Sequence, residues 1–266
     1  MVRVCKNQKE SVLAMVRKGK LDAASLSTSN LVDEIILAMS KRGVLDCLSA
    51  GVPDRRAHNT TVPFDLILAS SIAAKMKIHS SMSDIPFAIT DHRTLAELGY
   101  TLYDPDGVYQ GLMREGALRH LVEMYSGYDF INAYRRTVQK QILPQLEVTP
   151  HIHIMDSTPL EVNLDNKNYE YTTIGKNKHG EQTRGYTMLT VRGLYQDTGI
   201  IEEAVVFPMS YGDTLLAREL VKVSKVFHEG DILINDRGFI SRSTMNYVKT
   251  VCKTDTYIPL RKNMDA

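Results

Sequence analysis

Two apolar runs, each closing on an aspartate, decide how this chain is read. They are His151-Ile152-His153-Ile154-Met155-Asp156-Ser157-Thr158 and Asp231-Ile232-Leu233-Ile234-Asn235-Asp236-Arg237-Gly238-Phe239. Each has the length and composition of a buried strand that runs into a polar or glycine-containing turn. Side chains alternate along a strand, so Asp156 shares a face with Ile152 and Ile154, and Asp236 with Ile232 and Ile234. A carboxylate that closes an apolar face is costly unless it is paired, hydrogen-bonded or bound to a metal. Two such strands side by side bring two carboxylates to one edge of a sheet. That is the minimum equipment for holding a divalent cation through oxygen ligands.

Around these runs the second half of the chain reads as α/β. Pro144 to Pro150 is a linker and a domain boundary, giving a front domain over 1–147 and a back domain over 148–266. Residues 159–184 form a polar excursion with its tip at Gly175 to Gly185. Gly185 to Tyr195 and Ile200 to Met209 alternate and are joined by the hairpin turn Gln196-Asp197-Thr198-Gly199, so the first three strands make an antiparallel meander. Asp213 is placed to cap a helix from Thr214 to about Phe227, whose stripe is Leu215, Leu216, Leu220, Val223 and Val226. Ser241 caps a second helix that runs to Cys252, and Thr256 to Leu260 is a fifth strand.

The front is helical. The spacing predicts a turn or two over Ser11 to Arg17 and a helix over Leu31 to Lys41, capped by Asn30 or Ser29 and stopped by Gly43. Shorter helices follow at Val44 to Ser49, after Ser83, and from Asp91 to Gly99. Phe64 to Lys77 is apolar almost all round and reads as the core helix of this part. Further helices span Gly116 to Tyr125 and Tyr128 to Ile142. Arg135, Arg136 and Lys140 are the densest basic patch, and a solvated helix surface accounts for them best.

Composition bounds the function. The chain has 266 residues, 43% hydrophobic and 24% charged, as in a soluble globular protein, and its net charge is +1. With so little basic excess, any nucleic-acid contact must rest on local patches. The three cysteines Cys5, Cys47 and Cys252 are far apart and form no CxxC, which argues against a disulfide or zinc framework and fits a cytoplasmic location. No run approaches the ~18 apolar residues of a membrane span, and the N-terminus has no signal-peptide pattern.

The order β-β-β-α-β-α-β, with an aspartate closing strands one and four, is that of the ribonuclease-H-like fold, a mixed sheet in the order 3-2-1-4-5. Ile154 to Thr158 and Ile234 to Phe239 resemble the first two aspartate motifs of bacterial insertion-sequence transposases with a DDE domain, the IS-four type. Met209 to Leu220, with Asp213 opening a helix, is similar to the segment those enzymes carry between the motifs. The resemblance spans roughly residues 148–262. More weakly, Val62 to Leu102 is similar to the helical segment that precedes this domain in related transposases, which implies DNA binding or dimerisation for the front domain.

The resemblance implies metal-dependent cleavage at transposon ends and strand transfer into target DNA, by a homodimer on DNA with no membrane partner. Mg²⁺ is the implied cofactor, with Mn²⁺ as its substitute. Asp156 would bridge two metals and Asp236 would hold one of them. Two departures stand out. The family's third acid, a Glu in a Tyr-x-x-Arg-x-x-x-Glu setting beyond strand five, has no match. The chain is therefore expected to be a C-terminally truncated transposase, inactive alone, or a non-catalytic DNA-binding and dimerisation remnant. A nuclease that recruits Glu161 or Asp265 as its third acid is a further alternative. On strand two, Thr187 and Leu189 stand where many relatives carry Lys and His.

Arg237, beside Asp236, is a candidate phosphate contact, with a surface salt bridge as the alternative. Lys176, Lys178 and Arg184 lie on the glycine-bounded excursion, placed either to follow a DNA backbone or to form a solvated loop. His151 and His153 stand two apart on one strand face. They read as polar residues on the less buried face rather than as zinc ligands, since no third ligand is near in sequence. Asp213 reads as a helix cap, and Gly238 as the residue that permits a tight turn.

Overall fold

The computed structural model describes residues 14–20, 30–56, 60–78, 81–103, 106, 108–109, 113, 115–165, 169–177 and 179–259. The chain divides into two compact units, Met1–Phe130 and Ile131–Ala266. The division falls inside a helix, and the Pro144–Pro150 stretch lies within the second unit. Lys178 and Asp265, and the start of the helix read from Ser11, lie outside the described residues.

The first unit is helical where described: α1 (Leu31–Lys41), α2 (Val44–Gly51), α3 (Phe64–Met76), a 3₁₀ turn (Met82–Phe87), α4 (His92–Glu97) and α5 (Glu115–Glu123). Asn30 caps α1 through a capping box. Its side chain accepts from the Asp33 N–H, and the Asp33 carboxylate accepts from the Asn30 N–H, both at 3.1 Å. Asp91 caps α4 in the same way, by accepting from the Thr94 N–H at 2.9 Å. Helix α3 is the core element. Its Leu66, Ala69, Ala73 and Ala74 pack with Ile36, Leu45, Ile89 and Leu95. The absence of a polar face on α3 follows from this, because neighbours surround it.

The second unit is a mixed α/β fold. It begins in α6 (Gly127–Thr137) and continues through β1 (Ile152–Val162), β2 (Thr173–Lys176), β3 (Gln182–Tyr195), β4 (Thr198–Pro208), α7 (Asp213–Val223), β5 (Ile232–Asn235), α8 (Arg242–Tyr247) and β6 (Asp255–Tyr257). β3 pairs antiparallel with β1 along one edge. Along its other edge it pairs antiparallel with β2 near its start and with β4 over the rest. β1 pairs parallel with β5, and β5 parallel with β6.

Helix α7 supplies Leu216, Ala217, Leu220 and Val221 to one face of this sheet, where they meet Met155, Leu189, Val191 and Leu233. Burying one such leucine is worth roughly 2 kcal/mol, so this helix and the sheet face hold each other in place. The opposite face is more open, and Ile152, Ile234 and Tyr257 are exposed there.

Several expectations are corrected. β1 does not stop at Asp156 but runs on to Val162, because β3 is long enough to keep pairing with it as far as Val162↔Arg184. Pro159 is tolerated in this extension because β5 has ended by then, so its missing N–H can face an unpaired edge. The excursion contains a strand, β2, that the polar composition hid. Helix α7 ends at Val223, four residues early, and its N-cap is Gly212 with no side-chain cap bond. Asp213 is the first helical residue. The fifth strand, β6, covers Asp255–Tyr257 rather than reaching Leu260.

Candidate functional site

The parallel register of β1 and β5 pairs Ile152 with Ile232 and ends with Met155 opposite Asn235. One residue further, where the β1–β5 pairing stops, Asp236 follows the last residue of β5 and stands beside Asp156, which lies within β1; adjacent strands lie about 4.8 Å apart. Alternation puts both on the open face with Ile154 and Ile234, and both are exposed. Each carboxylate uses Oδ1 to accept from the next backbone N–H, that of Ser157 at 2.8 Å for Asp156 and that of Arg237 for Asp236. Asp236 thereby caps the 3₁₀ turn Arg237–Phe239. No hydrogen bond to either Oδ2 is formed among the described residues. Two hard oxygen donors of this kind fit a divalent cation that keeps most of its water. Among the described residues, no group of three or more His, Cys, Asp or Glu is arranged to hold a metal.

Gly238 meets a different demand from the one its sequence context suggests. It has no positive φ. Instead, a Cβ there would come within 3.0 Å of Asp213 Oδ2. The Asp213 carboxylate at the start of α7 thus lies against the Asp-Arg-Gly turn, a placement that a capping assignment does not reveal.

The remaining candidates scatter. Arg237 opens the 3₁₀ turn with an exposed side chain, and Lys176 is exposed at the end of β2. Arg184 is committed to the fold. Its guanidinium donates to Leu164 O at 3.0 Å and Thr172 O at 3.3 Å, stitching the excursion to β3. Thr187 and Leu189 point into the covered core and stand on the opposite face from Asp156. Arg135, read as part of a solvated patch, is instead a partly buried residue of α6. It forms an ion pair with fully buried Glu203 and donates to Glu203 Oε2 at 3.0 Å. Beside it the Tyr134 hydroxyl donates to Ile201 O at 2.7 Å. Burial and the Glu203 charge push its pKa up to about 12.

At the start of β1, on the covered face, the structure assembles a polar cluster that the sequence reading missed. His153 is fully buried on the covered face, which corrects the expectation that it lies on the less buried one. Its Nδ1 lies 2.7 Å from Glu202 Oε2 and its Nε2 lies 3.1 Å from Asp231 Oδ2. Asp231 is itself fully buried. It faces His151 Nδ1 through Oδ1 at 2.9 Å and accepts from the His228 N–H through Oδ2 at 2.7 Å. Both ring nitrogens of His153 face carboxylates, which leaves neither for a metal.

Glu202 reaches this position through a β-bulge. The β3–β4 register slips between Val191↔Glu203 and Arg192↔Ile201, so Glu202 is the extra residue and consecutive glutamates face the same way. The Glu-Glu pair is the one signal in the sequence. It interrupts the apolar alternation of β4 and reads as solvent-facing unless the bulge is known.

No protein-family model matches the chain, and no curated protein matches it. Among solved structures the chain is similar to a piggyBac transposase in a synaptic complex with hairpin DNA, studied by cryo-EM. The identity is 13%, the TM-score is 0.36, and the match covers 96% of this chain. The chain spans about half (47%) of the length of that protein. Among the described residues, no helix is long and apolar enough to cross a membrane.

Proposed function

We propose that this chain carries the two-aspartate core of a DDE-type DNA transposase, with a ribonuclease-H-like second unit and a helical first unit that serves DNA binding or dimerisation. The observation that carries the reading is the parallel register of β1 and β5. It brings Asp156 and Asp236 side by side where the β1–β5 pairing stops, within the motifs Ile154–Thr158 and Ile234–Phe239. In this reading Asp156 and Asp236 hold Mg²⁺ or Mn²⁺. When bound, the metal supplies charge stabilisation for in-line displacement at a DNA phosphate.

The chain's own residues set the stage for that chemistry. The β1–β5 ladder fixes the spacing of the carboxylates. The N–H groups of Ser157 and Arg237 orient them by occupying one oxygen of each. Arg237 and Lys176 are placed to meet phosphate. Lys178 keeps that role only as a candidate from the sequence, and Arg184 acts by shaping the excursion rather than by touching DNA.

Because no third acid joins the pair among the described residues, we infer that this chain binds metal and DNA without efficient cleavage. The test uses the whole 266-residue chain. Mn²⁺ should raise its melting temperature by about 2 °C or more at saturation, and Asp156→Asn or Asp236→Asn should abolish the shift. An equal shift in the doubly substituted chain overturns the metal site. Metal-dependent nicking of supercoiled plasmid, lost in Asp156→Ala, would overturn the inference of inactivity and make the chain a nuclease in its own right.

A further inference from the structure

The His153 cluster lies three residues before Asp156 on β1 and on the opposite, covered face, and its chemistry stands independently of the function proposed above. Proton bookkeeping defines it. A neutral imidazole has one N–H, so it can donate to one carboxylate only, and its bare nitrogen would then face the oxygen of the other. An imidazolium donates from both nitrogens and satisfies both. With Glu202 and Asp231 ionised, the charged ring is the state that fits contacts of 2.7 and 3.1 Å.

From β4 comes Glu202. From the lead into β5 comes Asp231, and the ring of Phe227 packs edge-on at a centroid distance of 5.3 Å. Gly193 on β3 contributes backbone alone at its place opposite His153. The neighbouring Glu203 is compensated by Arg135 from α6. His151 and His228, both with exposed side chains, approach Asp231 at 2.9 and 3.5 Å.

We propose that His153 is a protonation-dependent clasp that fastens β4 and the lead into β5 to β1, and that loss of its proton loosens this end of the sheet. The three groups join segments far apart in sequence, at residues 153, 202 and 231. All three side chains are buried, so the clasp holds or fails as a unit.

The direction of the pH effect follows. Burial pulls the His153 pKa down, but the hydrogen bond and charge of Glu202, then those of Asp231, outweigh it and raise it above the ordinary histidine value. A raised folded-state pKa contributes stability that is fully present below the unfolded value of about 6.5 and is lost as pH rises through the folded value.

Two measurements on the full chain test this. In ¹⁵N-histidine NMR of the unaltered protein, the buried ring should keep both nitrogens protonated at pH 7.5, where an ordinary histidine is neutral. In thermal melts the melting temperature should fall by about 3 °C or more from pH 6 to pH 9, and most of that fall should vanish in Glu202→Gln and His153→Gln. A buried ring with one proton at pH 7.5, or a fall of equal size in Glu202→Gln, overturns the clasp. If His153→Gln does not fold, the ring spectrum of the unaltered protein and the Glu202→Gln melts decide.

Discussion

Gly193 leaves open the space that the Glu202 carboxylate fills. A Cβ at Gly193 would come within 2.5 Å of Glu202 Cδ. Gly193 stands opposite His153 in the β1–β3 ladder, so the glutamate crosses β3 at a position where no side chain blocks its way. Gly193→Ala should therefore cost more than a strand glycine usually would. It must either push the glutamate off His153 or shift the bulge. We expect a loss of roughly 2–4 kcal/mol in urea unfolding, well above the loss from Gly212→Ala, where nothing lies within 4 Å. Equal losses at the two glycines would show that Glu202 does not depend on the space left at Gly193.

Asp231 gives the acid side of the same cluster. Burial pushes its pKa up, but the hydrogen bonds from His151, the His228 N–H and His153, together with the His153 charge, outweigh it and leave it below the ordinary aspartate value. A depressed folded-state pKa contributes stability that is present above the unfolded value near 3.8 and is lost as pH falls through the folded value. Chemical unfolding should therefore show stability falling between pH 5 and pH 3. Asp231→Asn should lower the stability at pH 5 and flatten that slope. An unaltered slope in the variant would remove Asp231 from the account.

How much of this was legible in the sequence depends on the range of the interaction. Local signals were read well. Asn30, Asp91 and Ser241 cap the helices they precede, and the hairpin turn at Gln196 to Gly199 joins β3 to β4. Alternation correctly grouped Asp156 with Ile152 and Ile154. It could not say which face a helix covers, because that depends on where α7 lands, and so His153 was assigned to the wrong side. Strand length was misjudged for a similar reason: β1 continues past Asp156 only because a long partner is there to pair with it. The bulge at Glu202 was invisible because it breaks the very period on which strand reading relies.

The Arg135–Glu203 pair explains why an arginine in a basic-looking patch is held inside. Glu203 has no exposed side-chain surface and Arg135 keeps 18% of its own. Removing the arginine strands a buried carboxylate, whereas removing both charges does not. Arg135→Met should cost about 3–5 kcal/mol in urea unfolding, and Arg135→Met with Glu203→Gln should recover most of it. Arg135 also donates to Val223 O at 3.3 Å, the last residue of α7, so part of the single-variant loss should remain in the double. Full additivity of the two substitutions would show that the pair does not interact.

Asp213 and Gly238 bear on the site itself, because Gly238 follows Asp236 by two residues and α7 starts at Asp213. In the first turn of a helix a carboxylate is favoured by the N-terminal dipole by about 0.3–1 kcal/mol. That preference, without a cap bond, favours Asp213 at the start of α7. With Oδ2 3.0 Å from where a Cβ would stand, Gly238→Ala must move the carboxylate or tilt the turn that carries Asp236. We expect Gly238→Ala to cost about 1 kcal/mol alone and close to nothing in an Asp213→Ala background. The same double-variant cycle, read by Mn²⁺-induced stabilisation instead of urea, separates two causes. If the metal response falls in Gly238→Ala and returns in the double variant, crowding by Asp213 had displaced Asp236. If the response is unchanged throughout, the turn is stiff enough to keep Asp236 in register with Asp156 on its own.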